Sequence, residues 1–141
     1  MRHPLFFSLG LAVSVTLGGA AILAKPAPGD NGLASAIAAP HRSEANRARD
    51  QYRHPEETLA FFGLKPTHNV VELWPGTGWY TEILAPYLAA KGTLTVASPV
   101  GRQTARIAEK LDANPGLYGK VKRANFPAAD GATLVPDGSA D

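Results

Sequence analysis

Hydrophobic and polar positions divide this chain into an uncharged head, a stretch of small residues, and a body that alternates apolar runs with amphipathic ones. Leu5 to Ala24 holds no charged residue, follows the basic start Met1-Arg2-His3, and passes through Gly18, Gly19, Ala20 and Ala21. That is the layout of a secretory signal peptide. An uncleaved membrane anchor is the alternative, because such a run is long enough for a bilayer core of about 30 Å. Gly10, Ser14, Thr16, Gly18 and Gly19 make it a poor span, so export with cleavage is the expectation. Cleavage after Ala21, after Ala24 and at Ala34-Ser35-Ala36 all remain open. Residues 1–24 are thus read as a signal peptide or N-terminal anchor, and residues 25–40, rich in Pro, Gly and Ala, as a flexible linker. Either way residues 41–141 face the periplasm or the outside, and touch a membrane only through an uncleaved head.

The body reads as an α/β unit. Arg42 to Tyr52 has helical composition, with Ser43-Glu44 near its start. Pro55 opens a second helix, a position where its missing N–H costs nothing. Glu56 and Glu57 favour the same N-terminus, Leu59, Phe61 and Phe62 give an apolar side, and Gly63 closes it. Asn69 to Trp74 is a short apolar run suited to a buried strand. Pro75-Gly76-Thr77-Gly78 then turns into a helix from Trp79 to Ala90, with Ile83, Leu84, Tyr87 and Leu88 at helical spacing and Gly92 at its end. Thr93 to Ala97 reads as a second strand, Arg102 to Ala113 as an amphipathic helix through Ile107 and Leu111, and Lys120 to Phe126 as a third strand. Strands alternating with helices at these lengths predict a parallel sheet with right-handed crossovers. Pro136-Asp137-Gly138 is a turn signal near the end of the chain, and a buried-type parallel strand makes a poor edge. The expected fold is therefore α/β, a Rossmann-like parallel sheet with flanking helices, truncated after about three strands. A small domain with a frayed tail is the alternative.

Composition narrows the function classes. The 141 residues suffice for one domain. Gly (14) and Pro (12) make up about 18% of the chain against an average near 12%, which makes it loop-rich without making it disordered. A net charge of +2 with no basic block gives a nucleic-acid partner little electrostatic support, in spite of a pI near 9.0. Zero cysteines remove disulfides, thiolate catalysis, Cys-ligated zinc and a lipidated anchor. His41, His54 and His68 lie in separate segments without metal-ligand spacing, so no metal site is expected.

The segment with chemistry in it is Glu72 to Tyr80, where a strand becomes a helix. Ligands of parallel sheets bind at the carboxyl ends of the strands. Glycines there let the backbone approach a ligand closely, and an acid at the strand end accepts hydrogen bonds from cationic or hydroxyl groups. The loop lacks the lysine of a P-loop, and Thr81 stands where the dinucleotide fingerprint has its third glycine. A tight connection with no ligand explains Gly76 and Gly78 equally well. Asn46, Arg49, Asp50, Tyr52, Arg53 and His54 precede the loop; charges at i,i+4 favour a solvated helix face over a role above an acceptor pocket. Trp79 and Tyr80, at a helix start, read as core rather than as a stacking surface.

The glutamate-then-glycines turn resembles motif I of the class I S-adenosylmethionine-dependent methyltransferases. More narrowly, the run from Arg42 to Pro55, then Phe61-Phe62-Gly63 and Glu72-Leu73-Trp74-Pro75-Gly76, resembles an exported bacterial predicted-methyltransferase group, over Pro40 to Asp141. The resemblance implies S-adenosylmethionine as cofactor and a seven-stranded fold that continues past Asp141, itself similar to the acid opening the fourth strand. A chain with three strands is then an N-terminal part, expected to be inactive. It also implies roles. Glu72 resembles the motif I acid near the methionine end, and Gly76 and Gly78 match the last two motif glycines, with Thr77 between them. Trp74 stands where the common pattern has its first glycine. Ser98, at the end of the second strand, takes the place of the ribose-binding acid, and Asp130 that of the acid contacting the adenine amino group. No general base stands out between Glu72 and Asp141, and the catalytic residues stay unassigned. Two other readings are open: an NADP-binding oxidoreductase with Ser98 and Arg102 meeting a 2′-phosphate, and an exported, non-catalytic Rossmann-like domain.

Overall fold

The computed structural model describes residues 31–128 and 132–141; the head read as a signal peptide or anchor, and Asp130, lie outside them. Four helices, α1 (Asn31–Ala38), α2 (Glu44–Arg47), α3 (Asp50–Arg53) and α4 (Pro55–Phe61), precede the first strand, β1 (Asn69–Leu73). Helix α5 (Thr81–Leu88) joins β1 to β2 (Thr93–Ser98), and α6 (Arg102–Ala113) with α7 (Pro115–Tyr118) joins β2 to β3 (Lys122–Asn125). The strands form one parallel sheet in the order β1-β2-β3. The register sets Asn69 opposite Thr93 and Leu73 opposite Ala97, then Thr95 opposite Lys122 and Ser98 opposite Asn125. The fold is α/β, a Rossmann-like parallel sheet flanked by helices.

Burial follows the sheet order. In β2 every residue from Leu94 to Ser98 is buried, because a middle strand of a parallel sheet is covered on both faces. Strands β1 and β3 are edges and keep exposed positions. Ile83, Leu84 and Leu88 of α5 meet Leu94 and Val96 of β2, Ile107 and Leu111 of α6, and Tyr118 of α7 in one core. Ile83 and Leu88 are essentially without exposure, and each contributes about 1.5–3 kcal/mol by leaving water. Past Pro136, the tail returns to β1. The Asp141 N–H donates to the Asn69 carbonyl (3.0 Å), and its carboxylate accepts from the Asn69 N–H (2.8 Å).

Three local expectations need correction. Residues 31–38 of the supposed flexible linker form α1, whose Leu33 and Ala36 are buried in the core beside α5. Small residues suggested a linker, but Ala is the strongest helix former, and Leu33, Ala36 and Ile37 recur at helical spacing. The single helix expected over 42–52 is two short ones. Arg42 is only 1% exposed and turns inward, and Ser43 caps α2 by accepting from the Asn46 N–H (3.3 Å). Finally, α5 runs over Thr81–Leu88 rather than from Trp79 to Ala90, with Tyr80 as its N-cap.

Within α5, Pro86 has no N–H for the Glu82 carbonyl one turn earlier. His41 supplies the missing partner: its Nε2 lies 2.7 Å from that carbonyl. A bond lost inside one helix is replaced by a side chain from the layer that packs on it.

Candidate cofactor-binding site

Strand β1 carries Glu72 to the carboxyl edge of the sheet, where the chain leaves the strand through Trp74 at φ +50°. The Trp74 N–H still donates to the Ala97 carbonyl (2.9 Å), and the Gly78 N–H closes the turn on the Pro75 carbonyl (2.8 Å). Gly76 sits at φ +59°, a conformation that favours glycine, and open space lies where a Cβ would be. Gly78, also left-handed, backs onto α6, where a Cβ would come within 3.0 Å of the Lys110 side chain.

The Glu72 carboxylate accepts from the Thr81 hydroxyl (2.6 Å). Burial pushes its pKa from 4.5 up to about 7; the Thr81 hydrogen bonds and the charge of Arg53 pull the other way without overcoming it. Glu72, Trp74, Gly76 and Thr77 line a cavity of about 280 Å³. Arg49, Arg53, Trp79 and Tyr80 complete its walls. The Arg53 guanidinium lies 4.3 Å from the centre of the Trp79 ring and 5.4 Å from that of Tyr80. Trp74, about half exposed, meets Phe126 edge-on at 5.3 Å.

A buried polar seam holds the N-terminal helices against this site. Arg42 pairs through both terminal nitrogens with the Asp50 carboxylate (2.6 and 2.8 Å), and its Nε faces Glu82 at 4.0 Å. Glu82, 1% exposed, also pairs with Lys110 and accepts from the Ser43 N–H (3.2 Å). The Trp79 indole N–H donates to the Asn46 carbonyl (2.9 Å) and to Asp50 (3.0 Å), which fixes the ring in the cavity wall.

The structure thus gathers Glu72, Trp74, Gly76 and Thr77 around one cavity and sets Gly78 behind it. Ser98 stands apart: it is 2% exposed, and its hydroxyl lies 3.1 Å from that of Thr104 in α6. Asp130 is outside the described residues. Arg49 and Arg53, weighed as a solvated face, are both exposed and also line the cavity, and the indole of Trp79 is both core and wall. The sequence signal was there: an i,i+4 arginine pair stands ahead of α4, β1 and the loop, and an indole N–H at a helix start needs an acceptor. Among the described residues no three His, Asp or Glu side chains gather as a metal would require, and no helix is long and apolar enough to cross a membrane.

Fold and site together define a Rossmann-like α/β chain with an acidic, glycine-containing loop at the carboxyl edge of its sheet. No protein-family model, curated protein or solved structure matches the chain.

Proposed function

We propose that this chain carries the cofactor loop of a class I S-adenosylmethionine-dependent methyltransferase. The observation behind the reading is that Glu72 and Gly76 line one cavity at the carboxyl edge of a parallel sheet, where such sheets bind ligands. An ionised Glu72 suits the ammonium at the methionine end of the cofactor, and the open space at Gly76 admits a ligand against the backbone. The cavity, about 280 Å³, is just below the range of about 300–1,000 Å³ for small-molecule sites and fits one end of the cofactor. When bound, S-adenosylmethionine supplies a methyl group on a positively charged sulfur, open to a nucleophile. The chain's own part is positioning: Glu72 anchors the ammonium, the Gly76 backbone packs alongside, and Trp74 and Tyr80 keep water off that end. The oxidoreductase alternative draws less support, because the Ser98 hydroxyl is buried against Thr104 rather than open to a 2′-phosphate.

Calorimetric titration of S-adenosylmethionine into the full chain, with NADPH as the control, tests the reading. Saturable binding that weakens at least tenfold on Glu72→Ala is expected. A cooperatively folded chain that binds neither ligand overturns it and leaves the non-catalytic domain; binding of NADPH alone turns the reading to the oxidoreductase.

A further inference from the structure

Arg49 and Arg53 lie one helical turn apart, joined by the Arg53 N–H to Arg49 carbonyl bond (3.1 Å), and both line the loop cavity. Among the described residues neither guanidinium donates a hydrogen bond or forms an ion pair, whereas Arg42, in the seam behind the loop, is matched to a carboxylate. Asp50, the acid of α3, already accepts from Arg42 and from the Trp79 indole. Arg53 is nonetheless held in place, stacked on Trp79 and Tyr80. Such stacking keeps the planar fork of donors along the ring's edge free for a partner.

We propose that Arg49 and Arg53 form an anion-binding pair at the mouth of the cavity, taking the carboxylate or phosphate group of a ligand whose body lies against Trp79, Tyr80 and Trp74. Guanidiniums match both anions with two parallel donors, which an isolated lysine cannot do. Burial supports the pair indirectly. With Glu72 pushed up to about 7, roughly half of the molecules carry a neutral acid there at neutral pH, and the field in the cavity is then set by the two arginines. The anion has two sources: the carboxylate of the cofactor proposed above, or a group on a second ligand.

Both tryptophans of the chain, Trp74 and Trp79, line this cavity, so their emission reports on it. Inorganic phosphate is titrated into the full chain at constant ionic strength, with chloride as the reference. A saturable emission change is expected with phosphate and not with chloride. Its midpoint rises at least tenfold in Arg49→Gln, which leaves the Arg53 stack in place, and the response disappears in the Arg49→Gln/Arg53→Gln variant. Thermal melts confirm that each variant is folded. No saturable response in the wild type, or an unchanged midpoint in a folded Arg49→Gln, overturns the proposal. A second arm separates the sources by comparing S-adenosylmethionine with its decarboxylated form, which keeps the ammonium and the sulfonium. If only the carboxylated ligand loses affinity in Arg49→Gln, the cofactor provides the anion; if neither does while the phosphate response is lost, a second ligand provides it. The phosphate arm involves no cofactor, so its failure leaves the methyltransferase reading standing, and the converse holds as well.

Discussion

Glu72 reaches the cavity largely buried, with Thr81 as its hydrogen-bonding neighbour, and its charge is therefore costly. Between pH 4.5 and about 7 the folded chain keeps a proton on this carboxyl that the unfolded chain has released. Stability must then fall as pH rises through that window. Glu72→Gln keeps an oxygen for the Thr81 hydroxyl and removes the titration. Urea unfolding should show the variant equal to the wild type near pH 4 and more stable at pH 8, by up to roughly 3 kcal/mol. A difference that stays flat with pH would refute burial as the cause of the shift. Glu72 and Gly76 were legible as neighbours at the carboxyl edge of the sheet because a strand end and a left-handed turn need only local sequence. Ser98 does end β2, but its burial was not legible because its neighbour Thr104 comes from the following helix. Arg49 and Arg53 are exposed and line the cavity at once, and alternating charges look alike in either setting.

Periodicity marks elements well where one face meets a core. Residues Arg102–Ala113 were read as a helix to the residue, with Ile107 and Leu111 buried, and Thr93 to Ala97 as a strand that in fact runs one residue further. Helix α1 was missed because five small residues hide its few large ones, and the split between α2 and α3 because nothing local says that Arg42 turns inward. The Pro86 substitution of one bond for another was equally hidden, since His41 is 41 residues from Glu82. Its energetics can be measured. His41→Ala strands the Glu82 carbonyl and should cost about 1–3 kcal/mol. In a Pro86→Ala background α5 has its own N–H for that carbonyl, and the same change at His41 should cost well under half as much. A double-mutant cycle by chemical denaturation measures the coupling, and additive costs would show that the His41 bond carries no such weight.

Across the whole molecule, the parallel sheet followed from alternating strands and helices, but what fastens the N-terminal helices to it did not. Arg42, Asp50, Glu82 and Lys110 sit on four separate segments, and only folding brings two positive and two negative groups into one seam. Asp50→Ala removes the bidentate partner of a buried guanidinium and leaves it the Ile37 carbonyl (2.8 Å) and, as its one remaining carboxylate, Glu82 at 4.0 Å. Loss of one partner from such a pair costs about 3–5 kcal/mol, and here the lower end is expected because Glu82 remains. For a domain of this size that lowers the melting temperature by on the order of 15 °C. A melt that shifts by only a few degrees would show that the pair is replaced by solvent.

The same seam decides where the domain can be cut. A chain begun at Pro55, where the helices before β1 look dispensable, would keep Glu82 and Lys110 yet lose Arg42, the cap on the Glu82 carbonyl and both acceptors of the Trp79 indole. Beginning at residue 41 would still discard Leu33 and Ala36 from the core. The folding boundary therefore lies at or before the start of α1, some ten residues ahead of the point that composition suggests, and a shortened chain prepared for study should retain that helix.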